Sequence, residues 1–404
     1  MAKYPQYAPQ FKLEVDGSPL PTAMKASITG VTHQSAMQGS DSVEITFANP
    51  DLRFLDDPLL AVDKGLKLSL GYAPDPLEDV FVGEITAVEP TFPSSGIPTL
   101  KVTAHDFLQR LTHGKVDRAF YFKVTKTAVF PLPDVAVNSI VAASNLLIPY
   151  PDPVGGALSI LMTLATYLVA PQEAQYSVRR QLRESDFDFL SEISKSNGWE
   201  MYIDHSLDPK GYVLRFQFLV QDYSASLNLK WGQSLLEFTP RLTTVGDIFG
   251  VTARVWVASL QMEFVIVVSW DFDRAAFNLA IYPGLGDLGP LLGGKASKTI
   301  SIKPTGFPRA LQEILSELLP RLNNRLTGSG STIGNPAIKP GMVVNFDGLG
   351  DTFSGLYRVT SVTNTLDSSG YRTNFQVRKE VWFGSIPLPK GASGLFRVQG
   401  QRIF

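Results

Sequence analysis

The carboxylates and histidines are the residues of this chain with chemistry to offer, and their spacing limits what they could do. Glu184, Asp186 and Asp188 cluster ahead of Phe189, and Asp271 stands two residues before Asp273. A carboxylate-based hydrolase of the glycosidase kind is therefore the first reaction to consider. A structural role explains both groups better. Asp186 and Asp188 fall in the first turn of an expected helix, where negative charge suits the dipole, and Asp271 and Asp273 lie in a turn-like Trp-Asp-Phe-Asp-Arg segment. The four histidines, His33, His105, His113 and His205, show no H-x-H or H-x-x-x-H spacing, so no metal site is expected. The chain has no cysteine, which removes disulfides, thiolate ligation and a thiol nucleophile. Gly284-Leu285-Gly286-Asp287-Leu288-Gly289 has the G-x-G-x-x-G lettering of dinucleotide sites. Pro290 and Gly293-Gly294 follow where the phosphate-binding helix must begin, so a loop is expected instead. No G-x-S-x-G elbow occurs, and the Gly-Ser-Gly-Ser at 328–331 reads as a loop between a helix and a strand. No catalytic residue, cofactor or metal is expected.

The elements that would carry these groups are mainly strands. From Phe11 to His113, turn signals at Asp16-Gly17, Asn49-Pro50, Asp75-Pro76 and Ser94-Ser95-Gly96 separate alternating apolar runs such as Val43–Phe47 and Ile85–Val88. Val116 to Ala170 is looser and proline-studded around one helical candidate, Leu158–Leu168. A sharper helix is expected over Ser185–Asn197, capped by Ser185, ended by Gly198, with Phe187, Leu190 and Ile193 on one face. Trp199–Ile203 and Tyr212–Val220 read as strands joined by the Asp208–Gly211 turn, and Thr252–Val268 as buried strands. Leu311, Ile314, Leu315, Leu318, Leu322 and Leu326 make an apolar stripe on a helix from Pro308 to about Leu326, with Pro320 expected to kink it.

Length and composition set the outer bounds. A chain of 404 residues with 44% hydrophobic and 18% charged residues is globular, of two to four domains, with surface charge low enough to suggest burial by partners. A net charge of -2 and a pI near 6.1 supply no basic field, so nucleic-acid recognition is not expected. The N-terminus has neither a basic n-region nor an apolar h-region, so no secretory signal is expected. Ala157–Ala170 is too short to span a bilayer and Val251–Trp270 contains Arg254, Gln261 and Glu263, so no stable membrane insertion is expected.

One β-unit occurs twice. The first copy runs Lys64–Gly71, then Val80–Val88 opened by Phe81-x-Gly83, then Ser95-Gly96 into Leu100–Ala104. The second runs Pro340-Gly341 to Phe346, then Phe353-x-Gly355 and Tyr357 into Val362, then Ser369-Gly370 into Asn374–Val377. A duplicated unit often answers a symmetry problem, which points to assembly more than to catalysis.

The segment Arg183–Leu190, continuing to Asn197–Asp204, resembles the central signature of phage late control protein D and related baseplate hub proteins. The block Gly328–Thr332, Gly334-Asn335-Pro336, Lys339–Gly341, Gly348–Gly350, Phe353–Gly355, Tyr357–Val359 and Gly370–Phe375 resembles them more closely, and Phe81-x-Gly83-Glu84-Ile85 adds to it. The resemblance implies an α+β, mainly β fold, with two similar β-barrel tube-like domains and inserted mixed α/β lobes. Residues 1–115 would form the first barrel domain, 116–240 a mixed lobe, 241–305 a β-rich lobe or connector, 306–385 a helix and the second barrel, and 386–404 a tail. Phe81, Gly83, Gly341, Phe353, Gly355, Tyr357 and Gly370 are its structural motif residues. It further implies a homotrimer with pseudo-sixfold symmetry, joining a hexameric tail tube protein to a separate trimeric spike protein beside other baseplate components. Such a protein would be made in the cytoplasm and built into a virion or tail-like particle. A monomeric carbohydrate-binding module, suggested by Tyr72 and Trp382, and a cell-wall glycosidase are the alternatives.

Overall fold

The computed structural model describes residues 8–123, 129–169, 177–208, 210–218, 224–243, 250–257, 261–271, 276–283, 297–301 and 307–380. Among the described residues strand outweighs helix, 51% to 23%, so the fold is mainly β as the period-two patterning predicts. Among the described residues, most of the strand lies in one sheet of 13 strands. Its first arm contains Ala8–Val15, Ile28–Ala36, Ser42–Ala48, Gly65–Ala73, Glu78–Thr91 and Thr99–Asp106. Ser42–Ala48 shows why: Val43, Ile45 and Phe47 point inward and are fully buried, while the residues between them stay half-exposed.

The sequence repeat is a structural one. Gly65–Ala73 pairs with Glu78–Thr91, which pairs with Thr99–Asp106. In the second arm Val343–Asp347 pairs with Gly355–Asp367, which pairs with Gly370–Arg378. Both are antiparallel meanders, and each middle strand has a register shift against the third strand, at Ile85/Ala87 and at Val359/Ser361. The arms join where Gly355–Asp367 pairs with Ile28–Ala36, from Ser361 opposite Ala36 to Asp367 opposite Gly30. The hydrogen-bonded path runs from Glu237–Leu242 at one edge to Ser18–Pro19 at the other, with no closed barrel found among the described residues.

Between the arms in sequence lies the mixed lobe. Trp199–Ile203 and Val213–Phe218 pair antiparallel, with Ile148–Pro151 parallel alongside. Val116–Lys123 pairs with Arg179–Glu184 and Val129–Pro131. The helix Asp186–Asn197 starts at Ser185, whose Oγ accepts from the Asp188 N–H at 3.1 Å, and ends at Gly198 with φ 66°. Leu190 and Ile193 are buried in the lobe core, and Phe187 packs at its margin. Pro153–Val169 is the helix expected around Leu158–Leu168. A further helix, Asp134–Ser144, follows Pro133 in a stretch that reads from sequence as irregular. The proline that suggests a loop is the residue that begins the helix.

Gly250–Val257 and Met262–Asp271 are the buried strands expected from the valine-rich run, in a sheet with Ala276–Pro283 and Ser297–Ser301. The helix Phe307–Asn323 packs on that sheet and on the helices Asp186–Asn197 and Pro153–Val169, with Ile314, Leu318 and Leu322 buried. It runs through Pro320 and stops before Leu326, which begins the strand Leu326–Ile333. Gly-Ser-Gly-Ser at 328–331 is thus strand, not loop. A Cβ at Gly328 would stand 2.7 Å from the Phe238 ring, and one at Gly330 2.7 Å from the Phe375 ring. Glycine serves close approach here, not a turn. Leu227–Lys230 and Glu237–Leu242 complete this arm by pairing with Val343–Asp347 and Leu326–Ile333.

Candidate functional site

The polar groups of the molecule converge where the first arm, the mixed lobe and the second arm meet. A cavity of about 250 Å³ lies there, lined by His33, Tyr202, Asp204, His205, Arg215 and Lys339 among others. The strand Ile28–Ala36 brings His33, the strand Trp199–Ile203 and its exit bring Tyr202 to His205, and the turn before Val343–Asp347 brings Lys339. His33 is buried, its Nδ1 is 3.4 Å from Asn364 Nδ2 and its Nε2 has no hydrogen-bond partner. Burial pushes its pKa down to about 4, aided by His205 and Lys339 and opposed by Asp41.

Behind His205 stand Asp41 and Asp106, both buried. Asp106 caps the turn that follows its strand: its Oδ1 accepts from Leu108 N at 3.1 Å and Ser40 Oγ at 2.5 Å, and its Oδ2 from Asp41 N at 3.1 Å. Asp41 Oδ1 accepts from Ala36 N at 3.2 Å. Burial, reinforced by the Asp41 carboxylate, pushes Asp106 up to about 7. His205 Nε2 lies 3.5 Å from Asp41 Oδ2, an ion-pair distance without hydrogen-bond geometry, and neither of its ring nitrogens has a hydrogen-bond partner. Burial alone lowers the His205 pKa, but the carboxylates of Asp41, Asp106 and Asp204 outweigh it and hold the ring above its ordinary value.

A second cluster ties the lobe to the second arm. Arg358 donates through Nε and Nη2 to the two oxygens of Glu380, at 2.7 and 2.9 Å, and through Nη1 to Gly341 O at 2.7 Å. Arg378 bridges Glu380 at 3.1 Å and Glu200 at 2.7 Å. Burial raises the Glu200 pKa against the pull of Arg378. Lys379 donates to Ser354 O at 2.8 Å with its ammonium over the Tyr357 ring, and burial pushes it down to about 8. Bidentate, buried pairs of this kind fix geometry more than they add stability.

Among the described residues, the carboxylates considered for hydrolysis do not form a site. Asp186 is held by Arg118, Gln181 and Asn145, and Asp188 is bonded to the capping Ser185. Asp271 ends a strand, while Asp273 and the 284–289 glycines lie outside the described residues. Tyr72 is no exposed platform, since its ring packs 5.7 Å from Tyr371 and its hydroxyl is buried, and Trp382 lies outside the described residues.

The motif residues are placed as supports, with different duties in the two copies. Phe81 is fully buried in the first core, 6.0 Å between ring centroids from both His33 and His205. Gly83 lies under the strand Thr99–Asp106, where a Cβ would overlap the His105 carbonyl. Phe353 is half-buried and its carbonyl accepts from Tyr357 Oη at 2.7 Å, while Tyr357 is buried against Phe238 and Phe346. Gly355, Gly341 and Gly370 adopt φ of 109°, 85° and 116°. The first Phe-x-Gly therefore needs glycine for space and the second for backbone conformation. His33, Asp41, Asp106 and His205 come from four separate segments, and no spacing in the sequence marks them as neighbours.

No protein-family model and no curated protein matches the sequence. Solved structures do match. The 43 kDa tail protein of prophage MuSo2 from Shewanella oneidensis superposes with a TM-score of 0.62 and 12% identity, over 93% of this chain and 99% of that one. The tail protein from Neisseria meningitidis MC58 gives 0.58 and 12%, over 94% and 100%. The chain has the fold of phage-tail proteins. The E. coli c3393 protein, a component of the type VI secretion system with structural similarity to T4 bacteriophage tail proteins gp27 and gp5, shares the tail fold too. It gives 0.55 and 12%, over 93% of this chain and 79% of that one. The shared fold includes the lobe, since the match to the Shewanella protein spans nearly the whole of both chains.

Proposed function

We propose that this chain is a non-enzymatic baseplate hub of a contractile phage tail or tail-like injection machine. As a homotrimer it would join a hexameric tail tube protein to a separate trimeric spike protein, among other baseplate components. The observation that carries the reading is the pair of like meanders held in one sheet, joined through the strands Ile28–Ala36 and Ser42–Ala48 that lie between them. Two similar barrel-like units per chain, from 1–115 and 306–385, would give a trimer six positions facing a sixfold tube. The tail-protein fold supports this reading. So does the helix Pro153–Val169, which leaves Val154, Leu161, Leu164 and Leu168 exposed on one face, as a chain that buries surface against partners would. Phe81, Gly83, Gly341, Phe353, Gly355, Tyr357 and Gly370 would then shape the two units and take no part in chemistry. The product would be made in the cytoplasm and carried in the particle.

Mass photometry of the purified chain, alone and with its candidate spike, followed by electron-microscope class averages, tests this directly. A trimeric ring of six similar lobes around a lumen is expected. A stable monomer in both conditions overturns the hub.

A further inference from the structure

The buried trio behind the three-way junction has a composition that the assembly reading does not use. Asp41, Asp106 and His205 each offer a ligand atom, and these atoms lie within 4.8 Å of one another. Two carboxylates and an imidazole are a hard-to-intermediate oxygen and nitrogen set, with no thiolate available in the chain. We propose that Asp41, Asp106 and His205 bind a divalent cation of the zinc class, which clamps the mixed lobe to the first arm.

Three features beyond the clustering of acids support it. The His205 side chain is only 8% exposed, and both its ring nitrogens are without hydrogen-bond partners although Asp41 Oδ2 faces Nε2 at 3.5 Å. Tetrahedral zinc with bonds near 2.1 Å sets its ligand atoms about 3.4 Å apart, so this pair is already at coordinating separation. The carboxylates are also aimed. Ser40 Oγ, Leu108 N and Asp41 N hold Asp106, and Ala36 N holds Asp41, the outer hydrogen bonds that orient metal ligands. Lastly, His205 also lines the cavity of about 250 Å³ at the junction, beside His33. An imidazole and so few oxygens favour zinc over magnesium or calcium, which prefer six or more oxygen ligands. The site stands on these residues alone and does not depend on the hub reading.

The test uses the full, tag-free chain, stripped with chelator and then titrated with Zn2+, with Mg2+ and Ca2+ as controls. Elemental analysis is expected to find one tightly held zinc per chain, and thermal unfolding a higher midpoint with zinc and an unchanged one with magnesium or calcium. His205→Gln and Asp41→Asn are expected to lose stoichiometric zinc, while His113→Gln keeps it. Should the first two variants fail to fold, Co2+ bound to the wild-type chain decides, since a low-coordinate nitrogen and oxygen site gives strong visible d–d bands. No stoichiometric zinc in the wild type, zinc retained by His205→Gln, or a purely octahedral cobalt spectrum each overturns the proposal.

Discussion

At the scale of single residues, the sequence motif hides two kinds of glycine. Gly83→Ala would drive a Cβ into the His105 carbonyl, and backbone cannot move aside as a side chain can. Urea unfolding is expected to show a loss of about 3 kcal/mol or more. Gly30→Ala, on the strand Ile28–Ala36 with open space at its Cβ, is expected to stay within about 1 kcal/mol of wild type. Arg358 is a sharper case because its partner is buried with it. Arg358→Met leaves the Glu380 carboxylate to Arg378 alone and should cost about 1.5–3 kcal/mol, and adding Glu380→Gln should recover part of that loss. His33 gives the molecule a pH signature. Its folded pKa of about 4 lies below the unfolded value near 6.5, so the unfolded chain binds the extra proton. The stability it confers is complete above pH 6.5 and is lost as pH falls toward 4, up to about 3 kcal/mol. Thermal midpoints measured in chelator between pH 7 and 4 should fall more steeply in wild type than in His33→Asn.

At the scale of elements, local signals and tertiary contacts divide the work. The helix Asp186–Asn197 carries its start and stop in its own residues, and Ser185→Ala is expected to cost about 1 kcal/mol in chemical unfolding. The strand Leu326–Ile333 is the opposite case. Gly-Ser-Gly-Ser has little strand propensity, and what makes it a strand is pairing on both sides, with Glu237–Leu242 and Gly370–Arg378, under two phenylalanine rings. The helix Pro153–Val169 shows a third situation, an apolar face without a described partner element. Leu161→Glu with Leu168→Glu should leave the unfolding free energy of the isolated chain within about 0.5 kcal/mol per site, measured by the same denaturant titration.

At the scale of the whole molecule, the seam organises everything else. Ile28–Ala36 and Gly355–Asp367 are more than 300 residues apart in sequence, yet their pairing fuses the two arms. Tyr371 Oη and Thr373 Oγ1 both donate to Asn364 Oδ1, at 3.2 and 2.6 Å, in the buried polar layer beside His33. Contacts of such high sequence separation are expensive to form in loop-closure entropy, and their polar layer fixes register where a slip would reverse every side chain. The mixed lobe is then held from two sides, through His205 against Asp41 and through Glu200 against Arg378.

The sequence by itself determined the mainly β class, the repeated meander, the capped helix and its face, and the absence of thiol chemistry. Each of these rests on periodicity, composition or contacts within a few residues, where physics acts locally. Tertiary structure alone decided that the two copies share one sheet and that Leu227–Lys230 and Glu237–Leu242 belong with the second arm. It also decided that Asp41, Asp106 and His205 meet at one buried point. Those outcomes depend on pairing and burial between segments far apart in the chain, and burial is what turns an unremarked aspartate or histidine into a group with unusual charge and unmet ligation.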